Sequence, residues 1–289
     1  MHWLTNGALV VIGGICCVGV AEARDKAPEA GPQSPRRITY KTVGDVKLAL
    51  HVFDPERGDD HGPAPAIVFF FGGGWVSGNP SQFYHQCRHF ASRGLVAISA
   101  EYRVKKQHGT TPAECVKDGK SAIRWVRAHA REVGVDPHRI VAAGGSAGGH
   151  VAAAIGVVKG FEEEGEDLSV SSQPNALILF NPVADITKLA KGAARCGDLA
   201  EALSPAHHVR PGLPPTLIFH GTADTTVPIE NVQRFRDLML EAGNRCELVP
   251  FEGKKHGFFN YGRDETSFDQ TMRLADAFLA SLGFMSGAD

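Results

Sequence analysis

The stretch Gly144-Gly145-Ser146-Ala147-Gly148-Gly149-His150 places a serine in a G-x-S-x-G pattern, and the rest of the chain is interpreted from it. Residues 140–143 before it form an apolar run typical of a buried strand, and residues 151–158 after it predict a helix. A strand, a sharp glycine-lined turn and a helix in this order are typical of a nucleophile elbow, which exposes its serine on a strained turn. Ser146 is therefore the predicted nucleophile.

Two further residues follow later strands in the order that this type of serine site requires. An apolar run at residues 216–219 leads to a loop with Asp224, and a second run at residues 247–251 leads to His256. We interpret His256 as the base that takes the serine proton and Asp224 as the acid that orients its imidazole. Asp185 is the alternative acid, but it follows an earlier strand, which favours Asp224.

A glycine-rich loop is the predicted source of donors for an oxyanion. Phe71-Gly72-Gly73-Gly74-Trp75 directly follows the apolar residues 66–70. Backbone amides in such a loop, together with the amide after the nucleophile, stabilise the charge that develops on the substrate oxygen. The predicted donors are the amides of Gly73, Gly74 and Ala147.

Several aromatic and histidine side chains fall near the predicted site. Trp75 and Tyr102 either line the substrate pocket or pack in the core. His150 is expected to pack behind Ser146. His85 and His89 have a spacing compatible with metal binding, but no acidic or cysteine partner completes a site, so we expect surface histidines and no metal.

These motifs resemble the α/β-hydrolase family, specifically its esterase branch of hormone-sensitive-lipase-like enzymes and of acetyl and feruloyl esterases that act on plant polysaccharide. The resemblance covers residues 37–282 and also includes Ala100-Glu101-Tyr102-Arg103 and His256-Gly257-Phe258. Phe71 stands where the family usually has histidine, so other side chains must support the loop. Gly145 stands where lipase-like members usually have aspartate, which favours the polysaccharide-esterase-like subgroup.

Apolar runs alternate with helical patterns, which predicts an α/β-hydrolase fold with a mostly parallel central sheet flanked by helices. The predicted strands are residues 47–54, 66–71, 95–100, 140–143, 176–180, 216–219 and 247–251. Thr111-Pro112-Ala113-Glu114 is a capping box that begins a helix ending near Arg131. The predicted fold has a small cap or none, and residues 185–213 are the natural place for a small cap. The acidic residues 161–174 are expected to form a solvated loop.

The N-terminal residues differ in composition from the rest of the chain. Residues 7–20 are apolar and Ala21-Glu22-Ala23 fits a cleavage site, so residues 1–23 are the predicted signal peptide. A linker at residues 24–37 and a catalytic domain at residues 38–289 follow. The apolar stretch is short for a bilayer, so we expect a secreted or periplasmic protein with no stable membrane span after leader removal. An uncleaved anchor is the alternative.

Export would bring the cysteines at positions 87, 115, 196 and 246 into an oxidising compartment. Cys87 lies in the helix predicted at residues 82–93 and Cys115 in the first turn of the next predicted helix, so we hypothesise that these two form a disulfide. The alternative is that all of them are buried thiols that act as small hydrophobic residues.

Composition agrees with a globular enzyme. The chain of 289 residues is 43% hydrophobic with a formal net charge of −2, and nothing in its charge predicts nucleic-acid binding. We predict a serine carboxylesterase without metal or organic cofactor. Its predicted substrates are short-chain acyl esters, in particular acetyl groups on carbohydrate such as xylan, hydrolysed through an acyl-enzyme on Ser146. The alternatives are a serine peptidase or formamidase of the same fold and a non-catalytic binding protein. No oligomeric state follows from the sequence.

Overall fold

The computed structural model describes residues 34–56 and 62–286, so the predicted signal peptide lies outside the described residues. The described residues form one eight-stranded sheet in the order β1-β2-β4-β3-β5-β6-β7-β8. The strands are β1 (Arg36–Val43), β2 (Val46–Phe53), β3 (Ala64–Phe70), β4 (Val96–Ala100), β5 (Val135–Gly145), β6 (Ala176–Phe180), β7 (Thr216–Gly221) and β8 (Cys246–Phe251). β2 is antiparallel to both neighbours, and every other pair is parallel. The predicted α/β-hydrolase fold is confirmed.

Helices connect most of the strands. They are α1 (Tyr84–Ser92), α2 (Lys105–His108), α3 (Pro112–Ala128), α4 (Ala147–Val157), α5 (Ala190–Cys196), α6 (Glu230–Glu241) and α7 (Glu265–Ser281). The capping box predicted before α3 is present, because the Thr111 side chain accepts from the Ala113 amide and Glu114 accepts from the Thr111 amide. Within the described ranges, no helix combines the length and the apolar character that a bilayer-spanning segment needs.

The first strand was not predicted. β1 begins at Arg36, so its first two residues fall within the predicted linker. It lies at the edge of the sheet and carries several exposed residues, so it lacks the continuous apolar run that marks a central strand. A tight turn at Gly44, whose φ is 55°, joins it to β2.

The central strands place the site at one edge of the sheet. All residues of β3 and β6 are buried, as is typical of parallel strands covered by helices on both faces. The loops that follow β3, β5, β7 and β8 leave the sheet at its carboxyl edge. In α/β sheets, ligands bind at this edge, so the topology alone brings the predicted site residues together.

The acidic stretch at residues 161–174 is the predicted loop and is exposed in part, but two of its glutamates pair with arginines of the domain. Glu162 accepts from Arg124 at 2.6 Å, and Glu163 accepts from Arg103 at 2.7 Å. Both arginines are buried. A buried cation needs a paired anion, so these glutamates neutralise charges inside the domain.

The hypothesised disulfide is wrong. All four cysteines of the described residues are buried free thiols. Cys87 lies on α1, which packs on β4, whereas Cys115 lies on α3, which packs on β5 and β1. The Cys115 thiol donates to the Arg103 carbonyl oxygen at 3.2 Å. Burial raises the pKa of both thiols well above the ordinary value, which keeps them protonated.

Candidate active site

Ser146 occupies a strained turn between β5 and α4. Its φ of 54° and ψ of −119° are rare for a residue with a side chain, as expected for a nucleophile elbow. The Phe259 ring fills the space beside Gly145, where a Cβ atom would lie 2.4 Å from Cζ of that ring. A glycine therefore stands before the serine because Phe259 occupies the place that an aspartate side chain would need.

The structure brings the three predicted triad residues together. His256 Nε2 lies 2.8 Å from Ser146 Oγ, and His256 Nδ1 lies 2.6 Å from Asp224 Oδ2. The Asp224 side chain is fully buried, whereas 23% of the His256 side chain is exposed toward the cavity. The serine is thus bonded to a base, and the base to a carboxylate that solvent does not reach.

The environment of Asp224 favours its charged form. Burial raises the pKa of the Asp224 carboxyl, but the hydrogen bond from His256 and those from the Val227 and Thr226 amides outweigh it, so the pKa lies below its ordinary value. The two amides donate to Oδ1 at 3.0 and 2.8 Å, which leaves Oδ2 for the imidazole. Asp224 is therefore a fixed anion behind His256.

Asp185, the alternative acid, lies in a different network. Its Oδ1 accepts from the Thr187 amide at 3.1 Å, and its Oδ2 is paired with Arg234. His207 approaches it at 3.4 Å. These contacts hold the start of the segment between β6 and β7, and the carboxylate that contacts His256 is Asp224.

The glycine loop after β3 forms a tight turn beside Ser146. The Gly73 carbonyl oxygen accepts from the Val76 and Ser77 amides at 3.1 and 3.2 Å. A Cβ atom on Gly73 would lie 1.9 Å from the Ser77 carbonyl oxygen, so a larger residue does not fit. In the described part of the chain, the amides of Gly73, Gly74 and Ala147 donate to no protein acceptor. All three residues line the same cavity as Ser146.

Side chains that the sequence did not indicate hold this loop. Gln82 Oε1 accepts from the Gly72 amide at 2.6 Å, and Gln82 Nε2 donates to Asn260 Oδ1 at 2.8 Å. The Phe71 ring stacks on Tyr102 with 4.1 Å between centroids, and the Tyr102 hydroxyl donates to the Phe71 carbonyl oxygen at 2.6 Å. These contacts supply the support that the histidine replaced by Phe71 usually gives in this family.

Trp75 and His150 join the loop to the elbow helix. Trp75 Nε1 donates to His150 Nδ1 at 3.1 Å, and His150 Nε2 donates to the Leu203 carbonyl oxygen at 2.8 Å. Burial lowers the pKa of His150 to about 4, so the ring is neutral and can accept and donate at the same time. His150 thus packs behind Ser146, as expected from the sequence, and fixes the loop through Trp75.

The serine faces a cavity of about 670 Å³. Buried apolar side chains, among them Val183, Val227 and Phe259, form part of its wall. Trp75 is among the lining residues, as predicted. Tyr102 is not: it is 2% exposed and lies behind the glycine loop, so of its two predicted alternatives the pocket is wrong and core packing is found.

Two asparagines missed by the sequence analysis hold the histidine loop. Asn181, directly after β6, accepts through Oδ1 from the Gly257 amide at 2.8 Å. Asn260 donates to the Gly257 carbonyl oxygen at 2.8 Å. The available signal for Asn181 was an asparagine directly after the apolar run at residues 176–180, where a parallel strand reaches the site edge of the sheet.

The two histidines with a spacing compatible with metal binding have ordinary partners. His85 stacks on Tyr261 with 3.5 Å between ring centroids, and His89 Nε2 lies 2.9 Å from Asp276 Oδ1. Among the residues with described positions, no group of three or more potential ligands is arranged to hold a metal ion.

Family comparisons agree with this geometry. The model of the BD-FAE family matches residues 50–239, and that of the dienelactone hydrolase family matches residues 200–287. The apo structure of esterase 2 from Thermogutta terrifontis is 52% identical with a TM-score of 0.85, and the match covers 89% of this chain and 98% of that one.

Two curated relatives are more distant. Probable isoprenylcysteine alpha-carbonyl methylesterase ICMEL1 of Arabidopsis thaliana is 31% identical over 78% of this chain and 51% of its own length. Esterase LipC of Mycobacterium tuberculosis is 31% identical over 68% of this chain and 53% of its own. The chain thus spans about half the length of these two relatives. Together with the BD-FAE match over most of the described domain, these likenesses show that the chain belongs to the α/β-hydrolase family of esterases.

Proposed function

We propose that this protein is a serine carboxylesterase that hydrolyses short-chain acyl esters, in particular acetyl groups on carbohydrate such as xylan, through an acyl-enzyme on Ser146. One observation carries the proposal: Ser146 Oγ lies 2.8 Å from His256 Nε2 and faces a cavity that is also lined by loop amides without protein acceptors. A nucleophile, its base and an oxyanion site around one open space are the elements that acyl transfer requires.

In the first step Ser146 Oγ attacks the ester carbonyl carbon while His256 Nε2 takes the hydroxyl proton. The carbonyl oxygen becomes an oxyanion that the amides of Gly73, Gly74 and Ala147 stabilise. Asp224 accepts from His256 Nδ1, which fixes the imidazole tautomer and stabilises the imidazolium that forms.

In the second step the tetrahedral intermediate collapses, and His256 returns its proton to the leaving alcohol. The acyl group remains on Ser146 Oγ. A water molecule then attacks the acyl carbon, His256 takes its proton, and a second collapse frees the carboxylic acid and the serine hydroxyl.

The short acyl group is supported by the cavity and by a relative. Buried apolar side chains bound the cavity near Ser146. Esterase 2 of Thermogutta terrifontis has been solved with propionate bound and with butyrate bound. We infer an acyl preference in the same range for this chain.

The carbohydrate alcohol is supported by polar side chains around the cavity. Asn79, Ser81, Gln82, Thr226 and Asn260 all line it. Amide and hydroxyl groups of this kind hydrogen-bond to sugar hydroxyls in both donor and acceptor directions. The resemblance to acetyl and feruloyl esterases of plant polysaccharide points to the same class of alcohol.

A chain-length series tests the proposal. We expect the mature protein to hydrolyse p-nitrophenyl esters with the highest kcat/KM between acetate and butyrate, and the Ser146→Ala variant to lose this activity. Acetate release from acetylated xylan then tests the alcohol. A maximum at decanoate would contradict the acyl assignment, and hydrolysis of anilides or formamides without ester turnover would favour the peptidase or formamidase alternative.

We also propose that the protein is exported to the periplasm or the medium, on the evidence of the apolar residues 7–20 and the Ala21-Glu22-Ala23 pattern. Fractionation of expressing cells with N-terminal sequencing tests this. A mature N-terminus at Arg24 is expected, and an intracellular protein that retains Met1 would contradict the proposal.

A further inference from the structure

The charge around the cavity has one sign. Three cationic side chains line it, namely those of Lys191, Arg195 and Arg263. In the part of the chain that the structure describes, no aspartate or glutamate lines this cavity. The whole chain has a formal net charge of −2, so the cationic rim is a local feature and not a consequence of overall composition.

The cations are held beside two different parts of the site. Arg195 Nη1 donates to the Gly74 carbonyl oxygen at 3.1 Å, which places it beside the oxyanion loop. Arg263 Nη1 donates to the His256 carbonyl oxygen at 3.3 Å, which places it beside the base. Lys191 precedes Arg195 by one turn of α5 and therefore shares its face.

The three cations keep their charge available. None of them forms a salt bridge with a carboxylate of the described residues, whereas the buried Arg103 and Arg124 are both paired with glutamates. Asp224 is ionised, but its side chain is fully buried behind His256 and does not reach the cavity. Lys191, Arg195 and Arg263 are exposed at the mouth, so a substrate group that extends from the cavity meets positive potential.

The geometry points to a preference for esters whose alcohol portion carries an anionic group, a carboxylate above all. The inference rests on the proposed function. His256 protonates the leaving alcohol, so the alcohol lies on the side of the site where Arg263 is held. The acyl group lies in the apolar part of the cavity, where an anion would lose its hydration without a partner. An anion on the alcohol reaches the exposed cations instead.

The size of the effect follows from the exposure of the cations. An exposed ion pair changes binding by about 1.5- to fivefold, and several cations that act together also raise the rate of encounter with an anion. Both contributions weaken when salt shortens the Debye length from about 30 Å at 0.01 M to about 3 Å at 1 M.

Two matched esters test the inference. In 4-acetoxybenzoate and 4-acetoxybenzamide the same acetyl group is attached to phenols of nearly equal shape, of which only the first is anionic. The measured quantity is kcat/KM for the anionic ester divided by kcat/KM for the neutral ester. Each value is first divided by the rate constant with which hydroxide hydrolyses that ester, so that the intrinsic reactivity of the two esters cancels. We expect a ratio above about threefold at 0.01 M NaCl that falls toward one at 1 M.

Substitutions test whether Lys191, Arg195 and Arg263, the cationic rim of the cavity, cause the preference. Lys191→Gln, Arg195→Gln and Arg263→Gln should each lower the ratio by about 1.5- to fivefold, and Lys191→Glu should lower it further. Arg273→Gln, an exposed arginine on α7 outside the cavity, is the matched control and should leave it unchanged. Since the neutral ester is the reference, any change that Arg195→Gln causes in the glycine loop cancels from the ratio.

The outcomes separate the inference from the function on which it rests. Ser146-dependent hydrolysis of both esters with a ratio near one, insensitive to salt and to the rim variants, would overturn the inference and leave the esterase intact. Absence of Ser146-dependent hydrolysis of either ester would overturn the proposed function.

Discussion

The His256–Asp224 pair and the glycine loop after β3 meet at Ser146, and they are held in place in different ways. His256 and Asp224 lie on loops after β8 and β7, and the strand order brings both loops to the edge of the sheet where Ser146 lies, with Asn181 as an additional support of the histidine loop. The glycine loop follows β3, but its conformation depends on side chains from distant parts of the chain. These are Gln82, Tyr102, His150 and Arg195, and the last two contacts join residues 75 and 121 positions apart.

The positions of the triad residues can be predicted from the sequence, whereas the side chains that hold the glycine loop are known only from the packing in the structure. Ordered loops after parallel strands meet at one edge of a sheet whatever their side chains are, so the triad can be read from motif order. Contacts between distant side chains leave no periodic pattern. Substitutions of the triad residues should therefore act mainly on the chemical step, and substitutions of the side chains that hold the glycine loop should act on both loop position and stability.

The largest effect is expected from Asp224→Asn. The amide cannot fix the imidazole in the tautomer that accepts the serine proton, so kcat on p-nitrophenyl acetate should fall by about 10⁴-fold while KM changes little. Steady-state kinetics measures this. Asp185→Asn is the control, because Asp185 holds a neighbouring turn and not His256. A loss of kcat in Asp185→Asn equal to that in Asp224→Asn would contradict the assignment.

The next effect is on stability and concerns His150, which joins the glycine loop to α4 through Trp75. His150 has a pKa lowered by burial to about 4 against an ordinary 6.5, so the unfolded chain binds a proton that the folded chain excludes. Stability from this group is complete above pH 6.5 and is lost as the pH falls toward 4, a difference of about 3 kcal/mol. Urea unfolding at pH 7 and pH 4 should therefore show a smaller acid loss in His150→Gln than in the wild type.

The exposed His138 provides the control for this comparison. His138→Gln should keep the acid loss of the wild type. Equal losses in the wild type and in His150→Gln would show that the ring is not held neutral and would remove the argument for a fixed Trp75 contact.

More of the fold than of the side-chain contacts that hold the site could be predicted from the sequence. Continuous apolar runs marked the central strands, because a strand covered on both faces has few polar positions. The edge strand β1 was not predicted, because a half-exposed strand has no continuous apolar run. The disulfide hypothesis failed because position along the chain does not say which face of the sheet a helix covers. The ion pairs of the acidic loop could not be predicted, because their partners, Arg103 and Arg124, are distant in sequence.

A smaller catalytic effect is expected from Gln82→Leu. The Gly72 amide loses its acceptor and the Asn260 side chain loses its donor, so the oxyanion amides shift from their positions. We expect kcat to fall by about ten- to a hundredfold, less than the hundred- to thousandfold of a removed oxyanion donor, with little change in KM. Gln270→Leu on the exposed face of α7 is the control. Unchanged kcat in Gln82→Leu would show that the loop holds without this contact.

The smallest effect is expected from Tyr102→Phe. The ring still stacks on Phe71, but the hydrogen bond to the Phe71 carbonyl oxygen is lost. We expect a loss of about 1 kcal/mol in the free energy of unfolding and a change in kcat below about threefold. Chemical unfolding with Tyr261→Phe, an exposed tyrosine, as the reference measures this. A loss of kcat as large as in Gln82→Leu would show that the loop depends on the Tyr102 hydroxyl as much as on Gln82, and would contradict this ranking.

The most direct test of the central claim, that Ser146 is the nucleophile, is covalent labelling with an organophosphate. Esterase 2 of Thermogutta terrifontis has been solved phosphorylated by paraoxon. We expect paraoxon to add one diethylphosphoryl group to this protein, found by intact mass and located by peptide mapping on Ser146, with parallel loss of ester hydrolysis and no adduct in Ser146→Ala. An adduct on another residue, or full hydrolytic activity in the Ser146→Ala variant, would contradict the account.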